Sequence, residues 1–117
     1  TFPGDSGFWY PIGEIETAVR WKINAVTLVN NNGAGNQSKR GFDAAYGGEQ
    51  TEQAREMWVL NKVNFAQIAE SMGAMGIRVE KPGELKGALQ KAFEADRPVI
   101  IDVVSDIEAM APLPYAP

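Results

Sequence analysis

Two short turns constrain this chain more than anything else in it. Gly4-Asp5-Ser6-Gly7 opens the sequence, and Asn30-Asn31-Asn32-Gly33-Ala34-Gly35 follows, 27 residues on counting from Asp5 to Asn32. Both are built of small residues and oxygen-bearing side chains. Between them the pattern reads as one helix and one strand. The chain therefore goes out and returns, which brings both turns to one end of a parallel sheet. A carboxylate and an amide oxygen meeting there, beside Gly-rich backbone N–H groups, are the parts of a Mg²⁺–diphosphate site. Each turn alone has a blander reading: Asp5 as a helix cap, the asparagines as a solvated turn. Their separation and the intervening pattern favour the joint reading.

The rest of the chain alternates helix and strand. Ile12, Ile15, Val19 and Ile23 recur at helical spacing, with Glu14 and Glu16 in the first turn, and predict a helix from about Ile12 to Lys22. Ala25–Val29 is an apolar, β-branched run suited to a strand buried on both faces. A long connection runs from Asn30 to about Val63, with room for a helical piece within Thr51–Leu60, and reads as a lid or binding loop. Asn64 then caps a helix carrying the stripe Phe65, Ile68, Ala69, Met72, and Gly73 closes it. Ile77-Arg78-Val79 is a short strand. Pro82 begins a helix with Leu85, Ala88, Leu89, Ala92 and Phe93 on its core face. Val99–Val104 is a last buried strand, and the tail from Ala109 to Pro117 reads as irregular. This is the pattern of a three-layer α/β domain, a mostly parallel sheet flanked by helices, with ligands at the carboxyl ends of its strands.

Composition narrows the chemistry. The chain has neither cysteine nor histidine, which removes disulfides, thiolate catalysis, imidazole bases and the usual zinc ligands. A metal would be held by oxygens, which favours hard cations such as Mg²⁺. A net charge of −4 with no basic stripe speaks against nucleic acid. No apolar run is long enough to span a bilayer, and no signal peptide is evident; the cytoplasm is the default location. At 117 residues, one domain is expected. There is no initiator Met, and only Thr1-Phe2-Pro3 precede a turn that normally ends a buried strand. Residues 1–117 are therefore read as a partial, N-terminally truncated domain of a longer protein.

The paired turns resemble the two halves of the thiamine-diphosphate signature, a Gly-Asp-Gly turn followed some 27 residues later by Asn-Asn. The chain is similar to the C-terminal, diphosphate-binding domain of thiamine-diphosphate enzymes of the acetolactate synthase and 2-oxo acid decarboxylase group. The likeness extends through Glu14–Arg20, Phe65–Glu70, Ile77–Pro82 and Pro98–Val104. Gln37–Asp43 looks locally like the corresponding loop of glyoxylate carboligase. The resemblance implies thiamine diphosphate and Mg²⁺ as cofactors, with the metal on Asp5, Asn32 and the backbone carbonyl of Ala34. Gly4, Asp5, Ser6 and Gly7 would meet the diphosphate, Ser6 and Gly7 through backbone N–H groups. It implies a carboligase or decarboxylase acting on a 2-oxo acid, with an acetolactate synthase-like lyase or transferase as parent. The activating glutamate belongs to a pyrimidine-binding domain, supplied in the family by another subunit of a homo-oligomer. No segment here resembles that domain, so no catalytic residue is expected on this chain, and the fragment alone is expected to be inactive. Glyoxylate carboligase, an oxalyl-CoA decarboxylase-like enzyme or a C–C hydrolase of the same group are alternative parents. A non-catalytic α/β binding or assembly module is an alternative of another class.

Two features depart from the family pattern. Ser6 stands where the third motif residue is usually Gly, which requires negative φ or tolerated strain there. Three consecutive asparagines leave two registers. The family spacing selects Asn31-Asn32, with Asn32 and Ala34 as ligands; the other register gives Asn31 and the carbonyl of Gly33. Phe8-Trp9-Tyr10 reads as packing before it reads as a cofactor wall. Trp58 reads as packing before it reads as part of a lid. Lys39 and Arg40 read equally as contacts for a carboxylate or coenzyme A phosphate and as a solvated loop, and Glu14 and Glu16 as surface acids.

Overall fold

The structure, a computed structural model, describes residues 1–109. The elements run α1 (Asp5–Phe8), α2 (Glu14–Arg20), β1 (Val26–Asn31), α3 (Asn36–Ala45), α4 (Glu52–Glu56), α5 (Phe65–Ser71), β2 (Met75–Val79), a 3₁₀ turn (Pro82–Glu84), α6 (Leu85–Phe93) and β3 (Val99–Val104). The strands form one parallel sheet in the order β1-β3-β2. The expected tail lies, beyond residue 109, outside the described residues.

Strand alternation divides the core. Val29 and Ile100 face a cluster with Phe8, Ile15, Phe65, Ala69 and Ala74, which come from α1, α2, α5 and the turn before β2. Val99, Ile101 and Val79 face Ala88 and Ala92 of α6, with Leu85 and Leu89 beside them. Helices therefore cover both faces of the sheet, as a central strand buried on both faces requires. α5 approaches β2 so closely that a Cβ built on Gly76 would lie on the Ala66 backbone.

Helix ends follow local chemistry. α2 stops at Arg20 and not Lys22 because Lys22 turns left-handed (φ 54°) and the Ile23 N–H reaches back to the Ala18 carbonyl. Asn64 caps α5 by accepting from the Gln67 N–H at 3.0 Å. Gly73, at φ 91°, lets the Ala74 N–H close that helix on Ala69. Thr1–Gly4 lies parallel beside β1: the Leu28 N–H donates to the Thr1 carbonyl and the Asn30 N–H to that of Pro3, and Gly4 bridges Asn30. That pairing carries Asp5 to the end of β1.

The long connection holds two helices, α3 and α4, where a single helical piece was expected. Polar composition and Gly41 hide α3 in the sequence; it has no buried residue. Side chains tie the segment together. Lys39 Nζ donates to Asp43 Oδ2 at 3.1 Å, Gln50 donates to Asp43 Oδ1, and Trp58 Nε1 donates to Gln50 Oε1 at 2.9 Å. The Lys39 bond, then that of Gln50, holds the Asp43 carboxyl below the ordinary carboxylate value. A depressed folded pKa contributes stability that is complete above the unfolded value, about 4, and is lost as pH falls through the folded one. Thermal melts from pH 7 down to pH 2 should therefore show an acid limb below about pH 4 that Asp43→Asn flattens. Superimposable acid limbs would mean that this carboxylate contributes nothing to the segment.

Candidate cofactor-binding site

Asp5 is 3% exposed, and every hydrogen bond it accepts here comes from backbone. Oδ1 accepts from the Ser6 N–H at 2.8 Å. Oδ2 accepts from the N–H groups of Gly33 at 2.7 Å and Ala34 at 3.1 Å. Asn32 Oδ1 accepts from the same Ala34 N–H at 3.0 Å. The carboxylate of the first turn and the amide of the second therefore converge on one nitrogen, 29 residues from Asp5. Gly33 makes this turn at φ 71°, a conformation that favours glycine.

The backbone beyond is fixed from the other side. Ala34 forms an antiparallel bridge with Val59, with the Gly35 N–H on the Trp58 carbonyl and the Leu60 N–H on the Gly33 carbonyl. In such a pair the flanking residues make the bonds, and the central residue's N–H and C=O both point away from the partner strand. The Ala34 amide points to Asp5 and Asn32, and its carbonyl takes that same side.

Asn31 goes elsewhere. Its side chain is 7% exposed and donates to the Val63 carbonyl and to Asp102 Oδ1, both at 2.8 Å. Asp102, 0% exposed, also accepts from the Phe65 N–H at 3.0 Å and from Arg78 Nη1 at 2.6 Å. The Arg78 guanidinium is raised further above its ordinary pKa by its Glu80 hydrogen bond and then by the Asp102 charge, so it stays protonated. A cleft of about 230 Å³ at the carboxyl ends of β1 and β3 is lined by Asn31, Asn32, Lys62, Arg78 and Ser105, among others. Asp102 was not singled out from the sequence, although a carboxylate inside the apolar run Val99–Val104 is a visible signal of a buried polar partner.

The structure thus brings Asp5, Asn32 and Ala34 together and turns Asn31 away. Ser6 lies inside α1 with no positive φ, so its substitution for Gly brings no strain. Its N–H is engaged by Asp5, whereas Gly4 and Gly7 have open space on the side a Cβ would occupy. Phe8 is buried and meets Phe65 edge-on at 5.4 Å, and Trp9 meets the same ring at 5.1 Å, so two of the three aromatics pack; Tyr10 is exposed. Trp58 is buried beneath Lys39 and Arg55. Glu16 pairs with Arg20 on the surface. Lys39 and Arg40 line an open cleft with Asn30, Asn32 and Asn36.

The parallel α/β sheet gathers a carboxylate, an amide and a backbone carbonyl at the carboxyl ends of its strands, where ligands of such sheets bind. Residues 1–103 match the family described as thiamine pyrophosphate enzyme, C-terminal TPP binding domain, and the chain belongs to it. The family binds thiamine diphosphate, with Mg²⁺ as its usual partner metal. A 2-hydroxyacyl-CoA lyase of Oryza sativa subsp. japonica is 36% identical over 104 residues, covering 88% of this chain and 18% of the relative. An acetolactate synthase of Bacillus subtilis strain 168 is 37% identical over 108 residues, covering 88% of this chain and 17% of the relative. The fold is shared with a thiamine diphosphate-dependent 4-hydroxybenzoylformate decarboxylase of Rhodococcus jostii RHA1, with a TM-score of 0.79 at 24% identity over 92% of this chain and 19% of that one. The chain spans less than a fifth of the length of these relatives. No helix among the described residues is long and apolar enough to cross a membrane.

Proposed function

We propose that this chain anchors the diphosphate and Mg²⁺ of thiamine diphosphate in an enzyme that breaks or forms a C–C bond beside a carbonyl. A 2-oxo acid is the substrate, and an acetolactate synthase-like carboligase or decarboxylase the parent. The observation that carries this reading is the sharing of the Ala34 N–H by Asp5 and Asn32, with the Ala34 carbonyl on the same side. Asp5, Asn32 and that carbonyl would hold Mg²⁺. The alternative register has weaker support, since both N–H groups of the Asn31 amide are held inward by Asp102 and Val63, which orients that side chain, and the Gly33 carbonyl accepts from the Leu60 N–H. When bound, the cofactor supplies the carbon nucleophile, and the protein supplies position and charge. Gly4 and Gly7 leave room for the diphosphate, and the Gly7 N–H is offered to it. Asp5 and Asn32 fix the metal that neutralises it. The activating glutamate would come from the pyrimidine-binding domain of another subunit in a homo-oligomer, so the isolated chain should show no turnover with pyruvate.

Calorimetry tests the reading. Thiamine diphosphate should bind in the presence of Mg²⁺ and not with a chelator. Asp5→Ala should weaken binding by about 100-fold or more, the scale of one lost charge-assisted contact. A folded wild-type chain that binds nothing, even with a pyrimidine-binding domain added, would point to the non-catalytic module. An acyl-CoA lyase is a second parent, favoured by the likeness to 2-hydroxyacyl-CoA lyase and by Lys39 and Arg40 beside Asn32. Turnover of a 2-hydroxyacyl-CoA by the whole enzyme, with none of pyruvate, would select it.

A further inference from the structure

Asp102 carries a full carboxylate at the centre of the molecule, and its three bonds reach three different elements. Oδ2 takes the Phe65 N–H at the start of α5 and the Arg78 guanidinium on β2. Oδ1 takes one hydrogen of the Asn31 amide at the end of β1, while the Val63 carbonyl takes the other. Both donors of Asn31 are thus committed inward. Asn31 is the last residue of β1; with it held inward, the chain leaves the sheet at Asn32, whose Oδ1 meets the Ala34 N–H. A slip by one residue would send Asn32 inward and Asn31 to the metal side.

We infer that Asp102 is the positioning residue that sets the register of the asparagine run, acting through Asn31 to place Asn32 and the Gly33–Ala34 turn against Asp5. Its hydrogen bonds go to Asn31, Phe65 and Arg78, and none goes to Asp5, Asn32 or Ala34. Arg78 keeps the buried carboxylate paired, so the clamp holds without an unpaired charge in the core. The functional consequence rests on reading Asn32 as a metal ligand, but the structural claim does not.

Hydrogen exchange of the protein without cofactor tests the structural claim. Asp102→Asn keeps one acceptor oxygen for the Phe65 and Arg78 donors and sets an NH2 against the Asn31 NH2. The Gly33 and Ala34 amides should then exchange about 10-fold faster, while Leu28 and Ile101 in the sheet keep their protection. Asn31→Ala leaves Asp102 its bonds to Phe65 and Arg78 and should give the same selective loss, which covers the case in which Asp102→Asn fails to fold. Mn²⁺ affinity in the presence of inorganic diphosphate, read by electron paramagnetic resonance, should fall about 10-fold in parallel. Unchanged protection at Gly33 and Ala34 in a folded variant, or equal loss across the whole sheet, overturns the inference. A wild-type protein that binds no thiamine diphosphate sinks the proposed function instead, and the exchange result still decides the role of Asp102.

Discussion

Gly76→Ala is expected to be the most damaging single methyl group that can be added to this protein. The position lies inside β2, paired with Ile100 of the central strand, and its open side faces the first turn of α5. A Cβ there would overlap the Ala66 carbonyl and its neighbouring backbone atoms. No rotamer change relieves this, because the clashing atoms belong to a helix. Moving the helix means withdrawing Phe65, Ala66 and Ala69 from the core and pulling the Phe65 N–H off Asp102. Overpacking usually costs about 1–3 kcal/mol when side chains can yield. Against fixed backbone the loss should reach about 3 kcal/mol or more, a large share of the roughly 5–15 kcal/mol that holds a domain together. The melting midpoint should fall by roughly 10–20 °C. Gly83→Ala, with nothing within 4 Å of its added methyl, is the matched control and should melt like wild type. A Gly76→Ala protein with an unchanged midpoint would show that α5 stands further from β2 than described.

How much of this was legible in the sequence differs by element. Runs such as Val99–Val104 announce a buried strand because every residue but one is apolar and branched, and that strand has the bounds its pattern predicts. Asn64 and Gly73 mark the ends of α5 by chemistry that depends only on near neighbours. The convergence of Asp5 with Asn32 was legible because one crossover between two turns leaves few places for them to go. Of the missing pieces, Gly76 and Asp102 depend on distant partners, and α3 lacks an apolar stripe. α3 buries nothing, so no apolar stripe announces it; its visible supports are pairs such as Lys39–Asp43 and the Phe42–Tyr46 stack. Gly76 looks like any strand glycine until α5 is laid across it. Asp102 looks like a flaw in an apolar run until Asn31, Phe65 and Arg78 arrive, the first 71 residues away in sequence.

Those distant contacts explain why the site belongs to the whole domain and not to its two turns alone. Asp5 is brought alongside β1 by the pairing of Thr1–Gly4, and it is also held from behind, because α1 ends on Phe8 and Phe8 rests on Phe65. Phe65 in turn is the first residue of α5 and gives its N–H to Asp102, which holds Asn31. One residue therefore supports both halves of the motif, its ring under the aspartate turn and its backbone beside the asparagine turn.

Phe65→Ala should reveal that arrangement. The ring is 1% exposed and meets both Phe8 and Trp9 edge-on, so its removal leaves a cavity under α1. Truncations of this kind cost about 3–5 kcal/mol, with aromatic pairs adding roughly 0.5–1.5 kcal/mol beyond the buried area. Chemical denaturation should report a loss in that range with little change in the denaturant slope. Cofactor affinity should fall as well, by about 10-fold at a temperature where the variant is still folded, because α1 loses the surface that seats Asp5. Phe65→Leu refills most of the volume and keeps the backbone bond to Asp102, so it should recover more of the affinity than of the aromatic contact energy. If Phe65→Ala loses stability alone and binds thiamine diphosphate with Mg²⁺ as tightly as wild type, Asp5 is seated by the Gly33 and Ala34 amides by themselves, and α1 contributes nothing to its position.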